Sequence, residues 1–315
     1  MPYACGPTVR PRVFVVALVA LLAGALAIAW AGIFVRLSET GPTASAFWRG
    51  ALALPLLAVW ARLEARSDRR SGRTRRRGFD RTVLWCGIAF AADLYFWHLA
   101  LLKTSVAAAT LEANLAPLVM VLLAWLVFRE RVSRRALAGI ALALAGVVLV
   151  IAPKFEGGGH GSLAGDALGI ATAFFYGVYL LTVARLRADR GTGSLMFWST
   201  LVSAIALLPI ALTETFLPDT ARGLATLVGL ALVAQFLGQG LIAFALAHLP
   251  TSFGATGLYV QPVASAVYAW WLLGEALAPI QLVGGALVLV AIALARSGAV
   301  PARATPALSR ARSPR

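Results

Sequence analysis

The chain has 315 residues, of which 60% are hydrophobic and only 13% charged. A soluble domain carries about 25% charged residues, so this composition excludes an ordinary water-soluble globule and describes a chain whose solvent is largely lipid. The formal charge of +15 is nearly all arginine in the connections between apolar stretches, which argues against a nucleic-acid partner.

In chain order, a leader over residues 1–12 carries Arg10 and Arg12 and precedes an apolar stretch at 13–35. That stretch is long for the core of a cleavable signal and reads as a retained first span. Further spans are predicted at 43–61, 82–101, 104–127 and 134–151 and, past a connecting loop at 152–162, at 163–185, 192–212, 223–245, 251–273 and 279–296. The fold class that follows is an all-α polytopic membrane protein with ten transmembrane helices. Residues 297–315, rich in Ala, Pro, Ser and Arg, read as a disordered tail.

Basic residues alternate in density from one connection to the next. Nine arginines fall between Arg62 and Arg81, four between Arg129 and Arg135, three between Arg185 and Arg190, and five from Arg296 onward. The other connections hold Arg36, Lys103, Lys154 and Arg222. This bias places both termini in the cytoplasm and sets the arginine run at 69–77 against anionic lipid headgroups. Cys5 in the leader and Cys86 in the third span are poorly placed for a disulfide.

The chain also repeats itself. Ala124-Trp125, Glu130 and Gly139, which follow Pro117, recur as Ala269-Trp270, Glu275 and Gly284, which follow Pro262. Phe47-Trp48 recurs as Phe197-Trp198, and Gly32 as Gly177. An odd number of spans per copy threads the second half in the opposite sense, so 13–151 and 163–296 are expected to be two inverted five-helix repeats.

The pattern Thr104-Ser105, Pro117, Glu130, Gly139, Gly146, with its partner Thr251-Ser252, Pro262, Glu275, Gly284, resembles the drug/metabolite transporter superfamily in its EamA-type branch. The resemblance covers about residues 13–296. It implies ten helices in two inverted repeats, a central substrate cavity, alternating access, and a substrate drawn from amino acids, other small metabolites or toxic cations. Export is favoured by the resemblance alone, and the short arginine-rich loops are compatible with a bacterial inner membrane.

Ionisable groups inside spans are costly in hydrocarbon and normally face a cavity or a partner. Arg49, Asp93, His98 and Glu112 are such groups. Asp93 and Glu112 lie at the same distance on either side of the tight turn near Lys103, each about 14 Å below it at the helical rise. Facing one another, they could not both be ionised comfortably and would share a proton, a device for proton antiport. Alternatively, Arg49 neutralises one of them as architecture, or clamps a substrate carboxylate. Trp97 shares the Asp93 face, while His98 points away from it and Asn114 away from Glu112.

The second half offers neutral polar groups instead: Gln235 and Gln239 on one face of its third span, and Gln261 beside Pro262. Trp30, Tyr176 and Tyr259 could supply aromatic walls. Pro117 and Pro262 are expected as a hinge or static kink, and Glu130 and Glu275 as acids meeting the start of the fifth and tenth spans. Small residues such as Gly139, Ala143, Gly146 and Gly284-Gly285 make faces for close helix packing or for a homodimer.

No HExxH, no GxSxG, no metal set and no cofactor motif is present, so an enzyme is not expected. A proton-independent exchanger or facilitator and a structural or regulatory membrane subunit stay open as alternatives.

Overall fold

The computed structural model describes residues 11–76, 78–128, 134–155, 161–186, 190–248 and 260–297. Tyr259, Glu130 and the Thr251-Ser252 pair therefore lie outside the described residues. Within them the chain is helical apart from short connections and two isolated bridges. The first half holds α1 (Pro11–Ala29), α2 (Ala31–Arg36), α3 (Pro42–Ala51), α4 (Leu54–Arg70), α5 (Arg81–Lys103), α6 (Val106–Ala113), α7 (Ala116–Phe128) and α8 (Arg134–Phe155). The second holds α9 (Leu163–Leu186), α10 (Thr192–Ala211), α11 (Ala221–Gly229), a π-helical segment (Leu230–Gly238), α12 (Gln239–His248), α13 (Val260–Leu273) and α14 (Pro279–Ser297).

Counting a kinked helix as one, seven of the described helices are long and apolar enough to cross a membrane: Phe14–Arg36, Pro42–Arg70, Arg81–Lys103, Val106–Val127, Leu163–Val183, Thr192–Ala211 and Ala221–Ile242. Leu137–Pro153 and Pro279–Ala291 are shorter apolar helices. The protein is a multi-pass, all-helical membrane protein. Val15, Val19, Leu126, Leu144, Trp270 and Trp271 are each more than half exposed on its outside, a surface suited to hydrocarbon rather than water.

Several spans are interrupted, and the causes differ. Pro55 is the second residue of α4 and lacks the N–H that Ala51 would need, which accounts for the break at Leu52-Ala53. Pro117 stands likewise in α7 and leaves the Ala113 carbonyl without its helical donor, so the fourth expected span bends at Asn114-Leu115. The first span breaks at Trp30, whose N–H donates to Ala27 O at 3.3 Å in a tighter turn. In the second half, the π segment widens the helix between α11 and α12.

Close helix contacts rest on glycine. A Cβ on Gly146 of α8 would lie 2.7 Å from Gly284 O of α14, and one on Gly284 2.6 Å from Gly146 O, so these two backbones touch directly. Gly24 of α1 and Gly238 bring two further backbones together in the same manner. Around Gly24 and Gly238, Leu21, Ile28, Ile33, Leu101, Val106, Leu230 and Ile242 form one apolar core, and Ala143, Val147, Val150 and Val288 form another beside Gly146 and Gly284.

Helix starts are capped in two ways. Asp80, Ser105 and Thr220 cap their own helices, accepting from Val83 N at 2.9 Å, Ala108 N at 3.1 Å and Gly223 N at 3.0 Å. Gly41 and Gly191, which precede α3 and α10, have no side chain to offer. Those starts are capped by Glu214 and Glu64, each from the opposite half of the chain.

Glu275 corrects one expectation. It does not cap α14, whose first turn is instead closed by Gln281 Oε1 accepting from Ala278 N at 3.0 Å. Gly274, at φ +69, ends α13 in the left-handed region and turns the chain back over its neighbour. Glu275 Oε2 thereby accepts from Val106 N at 2.8 Å, capping α6, while Oε1 pairs with Arg36 at 3.1 Å. Arg36 also donates to Thr104 O at 2.7 Å, so this one cluster ties the α5–α6 turn to α2 and to the α13–α14 connection.

Candidate functional site

A small cavity of about 50 Å3 lies at the meeting of both halves. Arg49 of α3, Asp93 and Trp97 of α5, Tyr176 of α9, Gln239 of α12 and Gln261 of α13 all line it. Its remaining walls are Ile28, Ala31, Leu94, Ala113 and Asn114. One water needs about 10–15 Å3 of comparable space, so the cavity in this state admits a few waters and not a metabolite.

Arg49 is 3% exposed, a position where a guanidinium requires compensation. Its Nε donates to Gln235 Oε1 at 2.9 Å, and Gln235 in turn donates to Thr200 Oγ1 at 3.4 Å. The guanidinium carbon sits 5.6 Å from the centroid of the Trp97 ring, a cation–π arrangement. Asp93, 7% exposed, lines the same cavity, and no salt bridge within 4 Å joins the two charges among the described residues. Arg49 is therefore tied to the scaffold through Nε while lining the same cavity as the carboxylate.

The structure separates other residues that sequence depth had grouped. Glu112 is fully buried but is not among the lining residues. Its carboxylate lies over Gly169 of α9, where a Cβ would collide with it. Asn114, expected to point away from Glu112, lines the cavity that Glu112 does not reach, with Nδ2 donating to Thr110 O at 2.7 Å.

Trp30 is not a lining residue; its ring packs at 4.8 Å on Tyr268 and 6.0 Å on Phe34. His98 is fully buried beside α3. Ser45 Oγ donates to Pro42 O at 2.8 Å, so the 2.8 Å contact between Ser45 and His98 Nδ1 has the ring N–H as donor, a structural bond that fixes the tautomer. Pro262 is buried in the first turn of described α13, next to Gln261. Among the described residues, no group of His, Cys, Asp and Glu is arranged to hold a metal ion.

Comparison with known proteins gives the family. The sequence profile of the EamA-like transporter family matches this chain twice, over residues 14–152 and again over 163–297. An uncharacterized transporter of Archaeoglobus fulgidus is 27% identical over 277 residues, covering 84% of this chain and 92% of that protein. A probable amino-acid metabolite efflux pump of Salmonella typhimurium is 30% identical over 177 residues, covering 53% of this chain and 59% of its own length. One solved crystal structure, 18% identical, superposes with a TM-score of 0.61 over 91% of this chain and 96% of the other, a likeness of fold. Two family matches that together take in nearly all of the helical region leave one conclusion: the chain is a member of the EamA-like transporter family.

Proposed function

We propose that the protein is a secondary active exporter of an amino acid or closely related zwitterionic metabolite, driven by proton antiport across a bacterial inner membrane. The observation that carries the reading is the cavity itself: Arg49 and Asp93 line it together, with no salt bridge drawing their charged ends into contact. A buried cation and a buried anion that face one cavity without direct contact gain from a ligand that bears the complementary charges. An α-amino acid does, with its carboxylate on the Arg49 fork and its ammonium on Asp93, while Gln239, Gln261, Asn114 and Tyr176 offer hydrogen bonds and walls. The name of the Salmonella typhimurium relative, an amino-acid metabolite efflux pump, supports the same substrate class.

In this reading ten spans form two inverted repeats with both termini in the cytoplasm, and the cavity opens alternately to each side. The described packing supports it, since α5 packs on α9 and α1 on α12, so that each half lends its third span to the first span of the other. Pro117 and Pro262 serve as matching pivots in the fourth and ninth spans. Asp93 is the coupling group, releasing the substrate ammonium when it takes up a proton from the outer side; Glu112, over Gly169, is a buried acid one helix away.

Reconstitution tests this directly. Vesicles loaded with radiolabelled amino acids and a pH-sensitive dye are expected to show substrate-dependent proton flux with the wild-type protein. Asp93→Asn is expected to abolish the dependence of transport on pH while the protein stays folded. Undiminished pH dependence in Asp93→Asn would remove Asp93 from the coupling, and no counterflow of any amino acid would remove the substrate class.

A further inference from the structure

We infer that Glu64 and Glu214 are a matched pair of latches, each closing one end of the molecule, and that opening either end requires its own latch to release. The inference rests on the alternating-access reading above. Glu214 Oε2 accepts from Thr43 N at 2.8 Å and Ala44 N at 3.0 Å, and its Oε1 accepts from Thr43 Oγ1 at 2.7 Å. Glu64 Oε2 accepts from Gly193 N at 3.0 Å and Ser194 N at 3.3 Å. Each acceptor lies the same number of positions from its counterpart as do the capped amides: Glu64 corresponds to Glu214 as Thr43 to Gly193 and Ala44 to Ser194. The acids stand at the far ends of the α3–α4 span and of α10, and each caps the beginning of the other. The two spans therefore run antiparallel, and their latches occupy opposite ends.

Both sites show the same accommodation. Each capped helix begins with a glycine, Gly41 or Gly191, that cannot cap its own helix. A Cβ at either glycine would strike the incoming carboxylate. Two helices thus depend for their N-terminal hydrogen bonds on a side chain of the opposite half, and those bonds break when the halves separate at that end. Both latches are engaged here, in keeping with the small cavity between them. The Glu214 latch has an additional hydroxyl bond from Thr43, where its counterpart has Gly193, while Glu64 Oε1 is instead paired with Arg75 at 3.8 Å, so the two latches are built differently.

Hydrogen exchange of the full-length protein in lipid nanodiscs, followed in segments 41–48 and 191–198, separates a latch from a local cap. A latch couples the ends. Glu214→Gln is expected to raise exchange in 41–48 about five-fold or more and to lower it in 191–198, because the population shifts toward the state closed at the far end. Glu64→Gln is expected to do the reverse, and the double variant to restore the wild-type ratio. Gly41→Ala and Gly191→Ala should reproduce the respective effects without touching either acid. Exchange that rises only beside the substituted acid, or rises at both ends, overturns the latch while counterflow by the wild type leaves the transporter reading intact. A wild type without counterflow sinks the transporter reading instead, and reciprocal exchange still decides the coupling.

Discussion

Arg49 is charged, almost fully buried, and bound to the scaffold through one nitrogen only. Lysine would keep the charge but lose both the Nε donor to Gln235 and the flat group over Trp97. Arg49→Lys is therefore expected to lower the initial rate of amino-acid counterflow by about ten-fold or more. Outside the spans, Asp80 is held below the ordinary carboxylate range, first by the Val83 N–H it accepts and then by the charge of Arg190, which donates to it. A depressed value in the folded state means that its stabilisation is present above the ordinary value of about 3.9 and is lost as pH falls through the lower, folded one. The start of α5 is expected to fray on acidification below about pH 4, measured as faster exchange of the Val83 and Leu84 amides, and Asp80→Asn to flatten that response.

The helices differ in how far their shape could be read from residue types. Pro117 announces a break because a missing N–H acts locally, and the structure bends beside it. The break at Trp30 and the π segment carry no comparable mark; they answer to neighbours far along the chain. The crossed caps were invisible for the same reason, since Glu64 stands among arginines as a solvated acid would, and its partner amides lie 129 and 130 positions away. Glycine spacing was more informative. At Gly146 the α14 backbone leaves no room for a side chain. Gly146→Val is expected to destabilise by about 1–3 kcal/mol, measured as a lower melting temperature in detergent. Gly240→Ala, whose added Cβ would meet Trp60 at an ordinary 3.6 Å, serves as the neutral control.

For the whole molecule, class and family were legible because they rest on sums over many residues: apolar length, charge density and a pattern stated twice. The uneven arginine distribution belongs to this scale as well, and a reporter fused after Arg315 is expected to be active on the cytoplasmic side, checked by paired fluorescent and phosphatase fusions. The site was legible in part. Arg49, Asp93, Trp97, Tyr176, Gln239 and Gln261 meet in one cavity because polar groups in a span seek one another or a cavity. Asp93 and Glu112 were grouped by depth, which residue counting supplies; the direction around each helix axis comes only from packing, and there Glu112 turns to α9.

The narrowness of the central chamber has a consequence for how tightly cargo can be held. A solute larger than a few waters can be lodged only by prising the walls apart, so part of its contact energy is consumed in making room and never registers as affinity. Loose holding is then the natural companion of rapid passage. A compound that grips strongly would have to match the shrunken shape, and such a compound would jam the carrier rather than ride through it.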